Sequence, residues 1–323
     1  MSSVLMYGEY YYPFESIVRK TNQKEVKRMN NGIKKVKLGM VAFVVLLATL
    51  SLASCASAKT WYVDDEGRAD FTKIQDAINA ASSRDTIVVR DGTYTENIHV
   101  NKPLTIRSEN GAEATIVQSA WPRHVFMITT DNVNISGFTI KGASNDWFDK
   151  NVNVCGIFLK YVDHCNISDN IISNKYRGIQ LMYSTKNILS NNIVNSNTHF
   201  GIGLYYSSNY NTLTNNTISN NGAGILVQSS NYNTFTNNVI NSNNCGILLC
   251  ESNNNNFLNN NVSNNNDNIV LYDSSNNDIY PKPNINRENV INRKTHPRKI
   301  PGFEAIFAIT GLLAVAYLLR RRG

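Results

Sequence analysis

Residues able to run acid–base or metal chemistry are thinly spread through the middle of this 323-residue chain. Between Asn151 and Tyr280 the carboxylates are Asp163, Asp169, Glu251, Asp267, Asp273 and Asp278. Hydrolysis or elimination on a sugar chain needs two or three carboxylates, often with a basic residue, gathered in one place. Solvated turn positions account for these six more simply, so no catalytic residue is assigned. Calcium asks for more oxygen charge than this in one spot. A copper site needs converging His, Met or Cys; His164-Cys165 is the one adjacent pair, and His99, His124, His199 and His296 are scattered. The expectation is no metal site and no cofactor.

Aromatic residues are placed more suggestively. Tyr161, Tyr183 and Tyr206 recur at steps of 22 and 23 residues, with Tyr205 and Tyr272 in the neighbouring column. A phenol ring offers a flat apolar face and a hydroxyl, a combination suited to sugars; the same spacing also suits rings stacked structurally at strand ends. Trp147 and Phe148 stand between Asp146 and Asp149 in a stretch that breaks the interval, since Ile135 to Ile167 spans 32 residues. The excess predicts a loop over 141–152 standing off the body, and such insertions often carry binding. Packing of Trp147 back onto the body is the competing use. Trp147, Phe148, Tyr161, Tyr183, Tyr205 and Tyr206 are therefore the candidate ligand-binding residues.

The elements that position them follow from the interval itself. Gly156, Gly178, Gly201 and Gly224 each precede Ile, as does Gly246, and Asn268-Ile269 takes the next slot, in steps of 22 or 23 residues. In phase with these run Ile167, Leu189, Leu213, Phe235 and Phe257, then Asn170, Asn192, Asn216, Asn238 and Asn260. A period in the low twenties indicates a solenoid. Apolar residues alternate within each unit, as in Ile225-x-Val227, which is the period of a strand with one face buried. Coils stacked one strand spacing apart bury a core that no single coil possesses. By alternation Asn216 points inward with Ile218, so the Asn170 column is expected to form an internal ladder of amides, each paired with the next.

Ahead of the regular units, Asp70 is placed to cap a helix whose Phe71, Ile74, Ala77, Ile78 and Ala81 keep to one face. Such a helix would cover the open end of the core. Strands are expected at Thr86–Val89, Ile98–Val100, Leu104–Ile106 and Thr115–Val117, with turns at Asp91-Gly92 and Asn110-Gly111. The predicted fold is all-β: a right-handed parallel β-helix solenoid of roughly nine or ten coils with an N-terminal amphipathic capping helix. Residues 59–140 supply the helix and irregular coils, and 153–280 the regular repeats.

The repeat units and the opening segment WYVDDEGRADFTKIQDAINAASSRDTIVVRDGTYTENIHVNKPLTI resemble the parallel β-helix proteins of the pectin-lyase-like fold, and more narrowly the NosD-like family. The resemblance covers most of the chain after residue 60. It implies the fold, but this scaffold hosts lyases, hydrolases, epimerases, adhesins and binding modules. The family is named for an accessory protein of nitrous oxide reductase maturation, and the name is not evidence of metal binding.

Charge and chain ends set the compartment. The formal charge is +7, yet residues 1–58 hold 8 Lys/Arg against 3 Asp/Glu and residues 282–323 hold 9 against 2, leaving the body at 14 against 19. The basic excess belongs to the ends, which argues against a nucleic-acid partner. Residues 1–58 are read as an extension and signal peptide: Lys34, Lys35 and Lys37 precede the apolar run Leu38–Leu52, and Ala56-Ser57-Ala58 offers a cleavage site before Lys59, with Met29 as an alternative start. Cys55, in Leu52-Ala53-Ser54-Cys55, is a lipidation alternative. After a linker at 281–300, Pro301-Gly302-Phe303, the apolar run Ala305–Leu319 and Arg320 to Arg322 resemble the archaeal PGF-CTERM sorting signal. That resemblance implies removal of the 301–323 tail and attachment to a lipid; a transmembrane anchor is the alternative.

Cys155, Cys165, Cys245 and Cys250 fall in columns or coils too far apart to bridge, so free, mostly buried thiols are expected. Asn134, Asn166, Asn215 and Asn261 each open an Asn-x-Ser/Thr sequon, and in a chain this rich in Asn, Ser and Thr most such matches arise by chance. The expected function is an exported, surface-anchored binding or structural module of an archaeal cell envelope. Its expected partners are an envelope polysaccharide or glycoprotein, and the membrane through the C-terminal segment or a lipid. Alternatives are a polysaccharide lyase or epimerase, and an accessory factor in metalloenzyme maturation.

Overall fold

The computed structural model describes residues 25, 27–36, 40, 57–121, 123–142, 154–279 and 290–293. The chain divides into one unit of residues 1–57 and a second of residues 58–323. In the first, residues 27–36 form an exposed helix. The expected signal peptide falls largely outside the described residues. So do Trp147, Phe148 and most of the 141–152 loop, the linker apart from residues 290–293, and Pro301, Gly302 and Phe303.

The second unit is a parallel β-helix. One coil consists of Cys155–Lys160, Asn166–Ser168 and Ile171–Ser173, after which Arg177–Met182 pairs in parallel with Cys155–Lys160 and the path repeats. Three parallel sheets of ten, nine and eight strands result, about nine turns in all. Isoleucine lies on isoleucine in the nine-stranded sheet, from Ile157 through Ile179, Ile202, Ile225 and Ile247 to Ile269. Ile167, Leu189, Leu213, Phe235 and Phe257 stack likewise as one apolar column in the ten-stranded sheet, all of them buried. Ile135 pairs directly with Ile167, so register is kept across an interval ten residues longer than one coil.

Sharp corners join these short strands. Asp169, Asn191, Asn215, Asn237 and Asn259 occupy one corner column with φ between 55° and 58°. Asn and Asp tolerate the left-handed region because their short polar side chains bond locally. Near the start of the strand Arg177–Met182 a Cβ on Gly178 would overlap the Gly201 carbonyl and approach Val194 Cγ1 to 2.5 Å, so only glycine lets the next coil come this close. The equivalent Gly156, Gly201, Gly224 and Gly246 are similarly crowded.

Polar ladders run through the interior beside the apolar columns. Asn170 Nδ2 donates to Asn192 Oδ1 at 3.2 Å, and the chain continues to Asn216, Asn238 and Asn260 at 3.0, 2.9 and 2.9 Å. The second N–H of each amide goes to a backbone carbonyl, for example Asn216 to Leu189 at 2.9 Å. Each oxygen from Asn192 onward also accepts the backbone N–H of the preceding asparagine. Two further amide ladders were not singled out in the sequence: Asn187, Asn211, Asn233, Asn255 and Asn277, and Asn197, Asn221, Asn243 and Asn265. A serine column from Ser184 through Ser208, Ser230 and Ser252 to Ser274 accepts backbone N–H groups at a fourth position.

The helix Ile74–Ala80 buries Ile74, Ala77 and Ile78 against the first coils. Its cap differs from expectation. Lys73 holds the N-cap position with no side-chain bond, and Asp70 instead accepts the Tyr62 N–H at 2.9 Å. Glu96, from the following coil, receives the free N–H groups of Ile74 and Gln75 at 2.9 and 3.0 Å. A carboxylate there answers both the orphan donors and the positive end of the helix. Two other local expectations shift: Gly92 opens the strand Gly92–Thr95 rather than lying in a turn, and the strand expected at Leu104–Ile106 is Thr105–Ser108.

Asp85 fastens the first strand. Its oxygens accept from Lys59 N at 2.8 Å, Trp61 Nε1 at 3.0 Å and Ser82 N at 2.9 Å, with Lys59 Nζ over the Trp61 ring. Burial pushes the Asp85 carboxyl up, but these donors and the Lys59 charge outweigh it and hold the group below its usual value. Its stabilising contribution is therefore present above the unfolded value of about 3.9 and lost as pH falls through the lower folded value. Asp85→Asn should lower stability near neutral pH, by a margin that shrinks below about pH 4. Urea unfolding of both proteins from about pH 7 to about pH 3 checks this, and a margin independent of pH contradicts it.

Candidate functional site

The turn that leads from the nine-stranded into the ten-stranded sheet carries the candidate tyrosines. Tyr161, Tyr183 and Tyr206 sit there with φ of 56°, 52° and 50°. A left-handed backbone is unfavourable for an aromatic residue by about 1 kcal/mol or more. Their rings stack along the rod with centroids 4.9 Å and then 5.6 Å apart, inclined by 6° and 23°. Tyr161 is 64% exposed and Tyr183 41%. Burial between its neighbours, together with the Tyr161 and Tyr206 phenols, pushes the Tyr183 hydroxyl above its usual value. The column continues in Ser229, Glu251 and Asp273, which share the left-handed conformation.

A second row stands four residues along the same turn. Tyr210 and Tyr232, at φ of 59° and 58°, stack at 5.3 Å and 7°, and both are at least half exposed. Sequence reasoning missed this pair. Its signal was present in the repeated Asn-Tyr-Asn triplets Asn209–Asn211 and Asn231–Asn233, 22 residues apart. Lys186 precedes the row and Asn254 follows it.

Between the rows lies a column of outward amides. Asn209 Oδ1 accepts the Asn231 N–H at 2.6 Å, Asn231 Oδ1 the Asn253 N–H at 2.6 Å, and Asn253 Oδ1 the Ser275 N–H at 2.7 Å. Each oxygen is fixed by the backbone of the next coil. Among the described residues none accepts from the Nδ2 groups of Asn209, Asn231 or Asn253. The edge thus presents phenols and amide donors repeated at one strand spacing.

Tyr205 is placed differently. It is buried with Phe200, Ala223, Leu226, Leu248, Cys250, Val270 and Tyr272 in an apolar cluster on the outer side of the nine-stranded sheet, separate from the interior core. The column after Gly-Ile, where Gln180, Leu226, Leu248 and Val270 stand, is likewise buried. A polar groove at another corner, lined by Asn174, Ser196, Asn220, Ser242 and Asn244 among others, contains no aromatic side chain.

Possible metal donors are kept apart. All four described cysteines are free; Cys155, Cys165 and Cys250 are buried and Cys245 is half-buried. Burial pushes the Cys155, Cys245 and Cys250 thiols up to about 12 and Cys165 to about 11. Cys155 Sγ donates to Gln180 Oε1, while His124 Nδ1 accepts the Cys155 backbone N–H at 3.0 Å. Burial and neighbouring cations hold His124 down to about 4 and His199 to about 3. Among the described residues no three of His, Cys, Asp and Glu converge. Nor is any described helix long and apolar enough to cross a membrane.

Comparison with known proteins locates the chain. The cell surface glycoprotein of Methanothermus fervidus is 36% identical over 135 residues, which cover 41% of this chain and 21% of that protein. Probable pectinesterase 67 of Arabidopsis thaliana is 31% identical over 100 residues, covering 29% of this chain and 27% of the other. The chain therefore spans only about a fifth to a quarter of these relatives. Pectate lyase Pel9A superposes with a TM-score of 0.52 at 13% identity, over 68% of this chain and 71% of its own, a likeness of fold. Residues 300–322 match the PGF-CTERM motif, an archaeal surface-anchoring signal, so the body lies on the outer face of the cell, anchored there. Residues 78–296 match the family model described as periplasmic copper-binding protein (NosD), for whose metal the described donors form no cage, and the chain belongs to the NosD family.

Proposed function

We propose that this protein is a surface-anchored carbohydrate-binding module, whose ligand is a polysaccharide or glycoprotein glycan of the cell envelope laid along the tyrosine edge. The observation that carries the reading is the pair of stacked tyrosine rows flanking asparagines whose Nδ2 groups have no acceptor among the described residues. A glycan is an extended array of hydroxyls and apolar ring faces. Rows of phenols and amides, repeated at strand spacing on a rigid rod, meet it with little ordering entropy. Tyrosines at left-handed positions, where asparagine would fit with less strain, are an outlier of the kind that points to a binding role. The surface location and the names of the two relatives, a cell surface glycoprotein and a probable pectinesterase, are compatible with such a ligand.

The test is retention of the protein on immobilised envelope and uronate polysaccharides, with new reducing or unsaturated ends followed in the same samples. Retention without new ends is expected. Tyr183→Ala and Tyr210→Ala should each weaken it roughly fivefold to tenfold, about 1 to 1.4 kcal/mol, with unfolding midpoints little changed. New chain ends would establish an enzyme instead, and absence of retention on every polysaccharide would refute the binding role.

A further inference from the structure

The four sequons are equivalent as sequence and unequal in the fold. Asn134 and Asn166 lie side by side in register on the ten-stranded sheet, both half-buried. Asn134 Nδ2, the atom that would have to carry a sugar, donates to Thr105 Oγ1 at 3.1 Å, and Asn166 Oδ1 is buried. Asn215 and Asn261 are exposed. Asn215 stands at a left-handed corner with φ of 57°, and Asn261 opens Asn261–Ser263, the terminal strand of the eight-stranded sheet. Among the described residues none bonds to the side-chain amide of either.

We infer that Asn215 and Asn261 are N-glycosylation sites of this surface protein, and that Asn134 and Asn166 are not. The donor class is an oligosaccharide carried on a lipid phosphate or pyrophosphate. Its anomeric C–O bond to phosphate breaks, a bond from Asn Nδ2 to the anomeric carbon forms, the amide loses one proton, and the lipid phosphate or pyrophosphate departs. No electron is gained or lost.

The corner column supplies its own controls. Asn191, Asn215, Asn237 and Asn259 share exposure and a φ of 55° to 57°, and each is followed by a buried ladder asparagine. They differ two residues on, at Ile193, Thr217, Val239 and Asn261. Only Asn215 has a hydroxyl there. Val239 is half-buried in a strand, is nearly the shape of threonine, and becomes the third residue of a sequon when changed to it.

The experiment is peptide mass spectrometry of the full chain isolated from an archaeal host that exports it. A glycan mass is expected on the peptides holding Asn215 and Asn261, and unmodified peptides at Asn134 and Asn166. Thr217→Val should abolish the mass at Asn215 while leaving the backbone and Asn216 in place. Val239→Thr should add one at Asn237. Unmodified Asn215 and Asn261, glycan on Asn134 or Asn166, or a Val239→Thr protein without new mass would each overturn the assignment. Polysaccharide retention is a separate readout, and its presence or absence leaves this result unaffected.

Discussion

Replacing Asn216 by alanine is expected to lower the unfolding free energy by about 3 to 5 kcal/mol, although the residue lies in a stretch dominated by Asn, Ser and Thr. Its oxygen accepts from both the backbone N–H and the Nδ2 of Asn192 at 3.0 Å. Its own Nδ2 donates to Leu189 O and to Asn238 Oδ1 at 2.9 Å. Alanine leaves the Asn192 N–H, one Asn192 amide hydrogen and the Leu189 carbonyl without these partners in a buried site, and each orphan costs roughly 1 to 3 kcal/mol. A trapped water would recover part of this, which keeps the figure below the sum. Asn237→Ala is the matched control, because Asn237 is exposed at a corner with φ of 55° and alanine there should cost only about 1 kcal/mol. Urea unfolding of both variants decides the matter: equal losses would show that the ladder adds nothing beyond turn propensity. Because coils contact only their neighbours, a reduced slope against urea for Asn216→Ala would mean that the rod has split into two melting units.

The coil architecture was legible because one face of each strand is buried and the coils stack in register, which imprints both periods on the sequence. The internal amide columns were legible in principle, since Asn187 and Asn197 recur with the same step as Asn192. They were hidden by abundance: asparagine also fills exposed corners such as Asn191 and Asn215, and a count of asparagines cannot separate the two environments. Glu96 as the cap of the helix Ile74–Ala80 was not legible, because the partner lies 22 residues away and depends on how the first coils close. A local rule favoured Asp70, which the fold uses elsewhere. The candidate edge was half legible. Tyr161, Tyr183 and Tyr206 were found by their column, but Tyr205 is one residue from Tyr206 and faces a different environment, so adjacency was misleading where alternation decides. The apolar cluster on the outer side of the nine-stranded sheet was also unforeseen, since an outward position in a strand need not be a solvated one.

Phe235→Ala is expected to cost about 3 to 5 kcal/mol, similar to the loss of Asn216 but with a different distribution along the rod. Phe235 and Phe257 are stacked inside the ten-stranded sheet with centroids 4.3 Å apart and planes inclined by 4°, both almost completely buried. Truncation removes the transfer free energy of one ring and leaves a cavity against the other, which short strands pinned by ladders on both sides cannot collapse to fill. On one side Leu213 is supported by all the earlier coils; on the other, among the described residues, Phe257 has only Ile279 beyond it in this column. The coils after Phe235 should therefore open first, and amide hydrogen exchange should accelerate from residue 239 onward while residues 60–200 stay close to native. Phe235→Leu should restore most of the stability, leaving a deficit of about 1 kcal/mol, because leucine is what the same column holds at Leu189 and Leu213. Uniform acceleration of exchange along the whole rod would contradict this picture, since it would mean that the solenoid unfolds as one unit rather than coil by coil. The two substitutions together separate the materials of the core: a polar ladder that fails when its bonds lose partners, and an apolar column that fails when its volume is not filled.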